Sequence, residues 1–228
     1  MFSFFVSFLS CALLTLLVIK TARKHGLGLD GDFTGVQKNH THAVARIGGI
    51  PIFLAVVVAS GLSILRQPQM AAWLATLIAC ATIALAGGIA EDYTGKVSPS
   101  RRLFLTMLAA GFGYWLLDAR IGRLDLPWMV VPLESIWIVL PLTMVAVAGV
   151  ANAINIIDGF NGLAGVISIF MLLSLSYVAL QVGDMFVLVA ALIIAGATAG
   201  FLIWNYPVGL IFLGDGGAYF LGFLLGEL

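Results

Sequence analysis

The segment NAINIIDGFNGLAG (152–165) sets Asn152, Asn155, Asp158 and Asn161 three residues apart, in a chain otherwise dominated by Val, Leu, Ile and Ala. Successive positions three apart on an α-helix turn by about −60°, so the four cannot share one narrow face. Asn152 and Asn155 fit the last turn of a helix. Gly159 and Gly162 then permit a turn that folds Asp158 and Asn161 back beside them. Oxygen and amide groups gathered in this way suit a hard divalent cation, or a polar ring such as a nucleobase.

Three further stretches carry polar chemistry: GGIAEDYTGK (87–96), FLGDGG (212–217) and KNHTHAVARIGG (38–49). Glu91, Asp92, Asp158 and Asp215 are carboxyl groups that repel one another if brought together, unless a cation or protons separate them. Mg²⁺ is the natural partner, with Mn²⁺ as its substitute, because it takes oxygen ligands and usually binds through one or two carboxylates plus substrate phosphates. Gly214, Gly216 and Gly217 around Asp215 leave space for a phosphate to come close. Lys38, Arg46, Arg101 and Arg102 are the cations available to hold its oxygens. His40 and His42 are two apart, a poor spacing for a metal pair; they read as polar loop residues, with phosphate contact as the second option.

These groups need elements to position them, and the composition says which. Of 228 residues, 61% are hydrophobic and 10% charged, against roughly 25% charged in a soluble domain. Membrane is the fitting solvent. The formal charge is zero, which gives no reason to expect a nucleic-acid partner. Charge-free apolar runs fall at Phe2–Ile19, Ile47–Leu65, Met70–Ala90, Leu103–Leu117, Ser135–Ala151, Leu163–Val182 and Met185–Trp204. They predict an all-α polytopic bundle of seven transmembrane helices. A further run from Gly216 to Leu228 is too short to span, so it reads as the start of an eighth helix. Residues 1–228 are then one integral-membrane domain, truncated at its C-terminus. Lys20, Arg23 and Lys24 follow the first run rather than precede it, which suits an uncleaved helix with its N-terminus outside.

That orientation is testable by charge. The inner loops then hold Lys20, Arg23, Lys24, Lys38, Arg46, Lys96, Arg101 and Arg102, and the outer loops only Arg66, Arg120 and Arg123, as the positive-inside rule requires. With it, all four polar stretches reach the inner face. Helix caps or solvated loops would explain any one of them, but caps would be spread over both faces. Trp73, Trp115 and Trp128 near outer ends, and Trp204 and Tyr206 near an inner one, follow the aromatic-belt pattern. Cys11 and Cys80 lie inside apolar runs and read as small packing residues.

The quoted motifs, with HTHAVARIGGIPIF and FLGDGGAYFLGF, resemble those of the polyprenyl-phosphate N-acetylhexosamine-1-phosphate transferases. The likeness runs from about Lys38 to Leu225. It implies a membrane enzyme that transfers an N-acetyl-amino-sugar 1-phosphate from a UDP-sugar to undecaprenyl phosphate and releases UMP, using Mg²⁺ at the inner face of a bacterial inner membrane. By the same resemblance Asn155 and Asp215 are metal ligands, and Glu91, Asp92 and Asp158 are catalytic carboxylates. Asn161 matches the position that contacts the uridine end, and Asn152, Lys38 and Arg101 are expected substrate contacts from their place at the same face. A homodimer is compatible with this reading. Glu91 stands where the family usually has Asp, and Asn161 where it often has Asp. The likeness leans towards the O-antigen or capsule branch rather than the peptidoglycan one and leaves the amino sugar open. The alternatives are an inactive truncated member and a membrane transporter; the latter would place polar groups near the bilayer midplane.

Overall fold

Hydrocarbon offers a peptide group nothing to bond with, so a membrane-spanning run must satisfy its own backbone, and a helix does this within one segment. The computed structural model describes residues 1–26, 29–30, 44–126 and 129–228. Eight α-helices are found among them: α1 (Phe2–His25), α2 (Gly49–Arg66), α3 (Ala71–Thr94), α4 (Pro99–Leu116), α5 (Ile136–Ile157), α6 (Leu163–Val182), α7 (Met185–Asn205) and α8 (Gly214–Glu227). Every expected run coincides with a helix. Six of them, α1 to α3 and α5 to α7, are long and apolar enough to cross a membrane. The fourth carries Arg101 and Arg102 in its first turn, and α8 has 14 residues. The protein is an all-α polytopic bundle.

Two short antiparallel pairs lie where the sequence suggested plain loops. Strand β1 (Leu29–Asp30) pairs with β2 (Val44–Ala45), and β3 (Arg123–Leu126) with β4 (Met129–Pro132). They occupy the connections between helices, where backbone groups can pair laterally. The first pair helps to build one end of the bundle. Beyond β2 the chain is stitched to the segment before α8: Phe212 N–H donates to Ala45 O at 2.8 Å, Gly48 N–H to Phe212 O at 3.0 Å, and Gly49 N–H to Leu213 O at 3.1 Å.

The short helix α8 is the axis of the molecule. It packs against α2, α3, α4, α5 and α6. Phe220, Leu221 and Phe223 are fully buried, as are Ala218 and Tyr219, as expected of a helix whose stretch between Asp215 and Glu227 is apolar all round. Close approach is bought with small residues, the usual device where lipid removes the hydrophobic drive for helix association. A Cβ on Gly88 of α3 would lie 2.5 Å from the carbonyl of Asp215. One on Gly222 would strike the Ala151 backbone of α5. The same device joins α1 to α7, where Gly196 and Gly200, four apart, face the Phe4 and Phe8 carbonyls. There Trp204 Nε1–H donates to Ala12 O at 2.8 Å, so Trp204 fastens two helices together as well as lying near an end. Cys11 and Cys80 are buried free thiols.

Gly222→Val is therefore expected to push α8 off α5, at an overpacking cost of about 1–3 kcal/mol. Thermal unfolding in detergent should show a clear fall in Tm. Gly149→Ala, where an added Cβ meets nothing within 4 Å, should leave Tm unchanged. Equal effects of the two substitutions would show that α8 is not held by contact with α5.

Candidate functional site

The site forms where α8 begins and α3 and α5 end. A helix N-terminus leaves backbone N–H groups without intrahelical partners and carries partial positive charge. Here Asp92, in the last turn of α3, fills that need. Its Oδ1 accepts from Asp215 N–H and its Oδ2 from Gly216 N–H, both at 2.8 Å. Gly214 makes the arrangement sterically feasible: its φ is +74°, and a Cβ there would collide with the Arg46 carbonyl and crowd Asp92.

With its backbone so fixed, Asp215 presents its carboxylate to two other helices. Asn155, in the last turn of α5, donates from Nδ2 to Asp215 Oδ1 at 2.5 Å. Arg102, in the first turns of α4, forms an ion pair with Asp215 Oδ2. Arg102 is 8% exposed, and its Cζ lies 5.4 Å from the centre of the Tyr219 ring. Tyr219 OH in turn reaches Asn152 Oδ1 at 3.4 Å. The spacing of three in the opening segment thus serves two rows: Asn155 meets Asp215, and Asn152 meets Tyr219 one turn further along α8.

Asp158 follows α5 as its cap. Burial pushes its carboxyl up to about 8; the charge of Asp215 adds to the rise, Arg46 opposes it, and Asp92 adds to it again. Four helix ends and the strand β2 segment therefore bring Asp92, Asn155, Asp158, Asp215, Arg46 and Arg102 into one cluster. Glu91 does not join Asp92 there. Neighbouring helical residues point about 100° apart, and Glu91 Oε2 instead accepts from Val97 N–H at 2.6 Å. It staples the turn between α3 and α4, which Gly95 enters at φ +62°.

Among the described residues no group of three or more His, Cys, Asp or Glu side chains is arranged to cage a metal ion. The donors present still fit Mg²⁺, since that ion needs only one or two protein carboxylates and completes its shell with water and phosphate oxygens. Asp215, with the amide oxygen of Asn155, would supply such a set.

The glycosyl transferase family 4 model matches residues 73–228, which include α3, α4, α5 and α8 and with them most of this cluster. The chain belongs to that family. This agrees with the resemblance carried by the motifs. A probable undecaprenyl-phosphate N-acetylglucosaminyl 1-phosphate transferase of Bacillus subtilis (strain 168) is 32% identical over 230 residues, 99% of this chain and 61% of that protein. A phospho-N-acetylmuramoyl-pentapeptide-transferase of Bartonella quintana (strain Toulouse) is 32% identical over 154 residues, 60% of this chain and 42% of that protein. A putative UDP-N-acetylglucosamine–dolichyl-phosphate N-acetylglucosaminephosphotransferase of Sulfolobus acidocaldarius is 34% identical over 93 residues, 40% of this chain and 27% of that protein. The chain spans less than two thirds of the length of these relatives.

In this family 4 member, of the two neighbouring arginines expected at the site, Arg102 is the one that reaches Asp215, while Arg101 is exposed. The signal was there in the phase of α4. Its buried residues are Arg102, Thr106, Ala109, Ala110, Gly113 and Tyr114, and four of the six are small, the mark of a helix-facing surface in a membrane. Asn161 is exposed and lies against the backbone of Gly209. Lys38, His40 and His42 lie outside the described residues. Asn205 was overlooked. Buried at 5% exposure, its Oδ1 accepts from Gly162 N–H at 2.7 Å and its Nδ2 donates to Ile211 O at 2.8 Å. One side chain thereby clamps the loop after α5 to the segment before α8. A lone Asn closing an apolar run was the available hint.

Asn205→Ala should leave both backbone groups unpaired at about 1–3 kcal/mol each. Hydrogen exchange is expected to accelerate at Gly162 first, ahead of the helices. Protection at Gly162 equal to that of the unmodified protein would remove the clamp from the account.

Asp158 yields a second expectation. Its carboxyl is held above its ordinary value, so the folded state keeps a proton that the unfolded chain has lost, and stability falls as pH rises from about 4 to about 8. Asp158→Asn cannot ionise and escapes this fall. Its Tm advantage, measured in chelator, should widen from pH 5 to pH 8. A constant difference would contradict the assignment.

Proposed function

We propose that this chain carries the catalytic centre of an enzyme that transfers an N-acetyl-amino-sugar 1-phosphate from a UDP-sugar to undecaprenyl phosphate, releasing UMP. The observation that carries the proposal is the setting of Asp215: a carboxylate at a helix N-terminus, held by Asp92, touched by Asn155 and faced by Arg102. Family membership and the relatives' names point to the same class of reaction. In it an oxygen of the lipid phosphate forms a bond to the sugar-bearing phosphorus, and the bond from that phosphorus to the bridging oxygen breaks, with UMP leaving.

Each side chain has a part suited to its place. Mg²⁺ held by Asp215 and Asn155 would neutralise charge on the diphosphate. Arg102 and Arg46 bring positive charge to the same oxygens. Asp92 acts as a positioning residue, since both its oxygens are committed to the backbone of α8. Asp158 is the acidic side chain left to meet the incoming lipid phosphate, and Glu91 fixes the turn that carries Arg102. Asn152 and Asn161, with Lys38 and Arg101, are the groups for the nucleotide sugar. Placed at one end of a polytopic bundle, such a site can receive a membrane lipid and a water-soluble nucleotide at the cytoplasmic face of a bacterial inner membrane. In this reading α4 crosses as well, giving seven spans and the start of an eighth. A transporter would place its polar groups at mid-depth, which the clustering at one end does not favour.

Asp215→Asn keeps shape and an oxygen but loses the charge that attracts a doubly charged ion. In the purified protein, UMP release from a UDP-amino sugar should fall on the order of 10²-fold, the scale of one lost transition-state contact. Raising Mg²⁺ should recover part of the loss, whereas Asn152→Ala should weaken activity at an unchanged Mg²⁺ requirement. Full activity of Asp215→Asn at low Mg²⁺ would move the metal elsewhere.

A further inference from the structure

Both oxygens of Asp215 are occupied by donors, Oδ1 by the Asn155 amide NH₂ and Oδ2 by the Arg102 guanidinium. For Asp215 and Asn155 to share a cation, the Asn155 amide must turn so that its oxygen faces inwards, and the guanidinium must withdraw. The pair is well shielded, with side chains 9% and 13% exposed, so Asp215 cannot rely on water for its neutralisation. A buried carboxylate stripped of its counter-charge is strongly destabilising, the more so with Asp92 and Asp158 nearby. Some cation must stand beside Asp215 at every stage.

We propose that Arg102 is the resident counter-ion of Asp215, and that it exchanges places with the divalent cation rather than acting beside it. The inference rests on the reading of Asp215 as a metal ligand. Arg102 is equipped for the exchange. Its Nε is buried without a hydrogen-bond partner among the described residues, so the guanidinium holds an unspent donor while it sits on Asp215. A phosphate oxygen can take that donor together with the Nη group released from Asp215, in the forked geometry that arginine forms and lysine does not. The Tyr219 ring, 5.4 Å from Cζ, gives the displaced cation a polarisable face to lean on. Cation entry and the arming of a phosphate-binding arginine are then a single event. In the absence of nucleotide the arginine works against the metal; in its presence it works with it.

The test is Mn²⁺ binding to the purified protein in detergent, followed by loss of the free-ion EPR signal, with no turnover involved. Arg102→Gln removes the competitor, so without nucleotide its Mn²⁺ affinity should be roughly tenfold tighter than that of the unmodified protein, the scale of one partly screened charge contact. With saturating UDP the order should reverse, because the variant has lost its diphosphate contact. Should Arg102→Gln fail to fold, Arg102→Lys serves instead: it keeps a charge but not the fork, so it should still hold Mn²⁺ off without nucleotide and lose the gain that UDP confers. A purely structural Arg102 predicts weaker binding under both conditions, and that result, or unchanged affinities, overturns the inference while leaving the transferase reading in place. Mn²⁺ binding by Asp215→Asn as tight as that of the unmodified protein overturns both.

Discussion

One carboxylate holding two backbone amides organises this protein. Asp92 ends α3 and begins α8 at once, because the N–H groups of Asp215 and Gly216 have no partner within their own helix. The bonds are set at the positive end of the α8 dipole, where an acceptor oxygen is well placed. They fix the backbone of Asp215, and Asp215 can then be addressed from α4 and α5 without itself being mobile. Remove that anchor and the cluster has three helix ends but no common centre.

The anchor works only because the helices come close enough, and in lipid that closeness has to be built from shape. Gly88, Gly49, Gly222 and Gly226 each let α8 or a neighbour approach to near backbone contact. Large apolar side chains such as Phe104, Phe112, Trp137 and Phe170 are left on the outside, where hydrocarbon accepts them. Glycines mark the closest seams, while bulky side chains are used on both sides: Phe220 and Phe223 inside around α8, and those four on the lipid-facing outside. Asn205 supplies the polar counterpart at the end of the bundle, joining two loops whose own backbone groups had nowhere else to turn.

Much of this was legible in the sequence because polar residues are conspicuous in an apolar chain. The runs without charge marked the helices, and the convergence of Asp92, Asn155, Asp158 and Asp215 followed from assigning their ends to one face. What was not legible depended on rotation about a helix axis. Glu91 and Asp92 looked like one acidic unit, yet a turn of about 100° between neighbours sends one to the α3–α4 turn and the other to α8. The same rotation separates exposed Arg101 from buried Arg102, and there the stripe of small residues on α4 could have decided the matter. The donor from Asn155 and the double role of Asn205 depend on which loop meets which, and local spacing does not carry that information.

The central place of α8 also bears on how the molecule is assembled. In chain order it follows seven helices, yet it occupies the space between five of them. During biosynthesis those earlier helices must come together with a vacancy in their midst, and the polar cluster does not form until α8 slides in and its first amides find Asp92. The carboxylate at the centre of the cluster is thus delivered only by the element that fills the space between those five helices. A nascent chain cannot acquire the chemistry before it acquires the architecture.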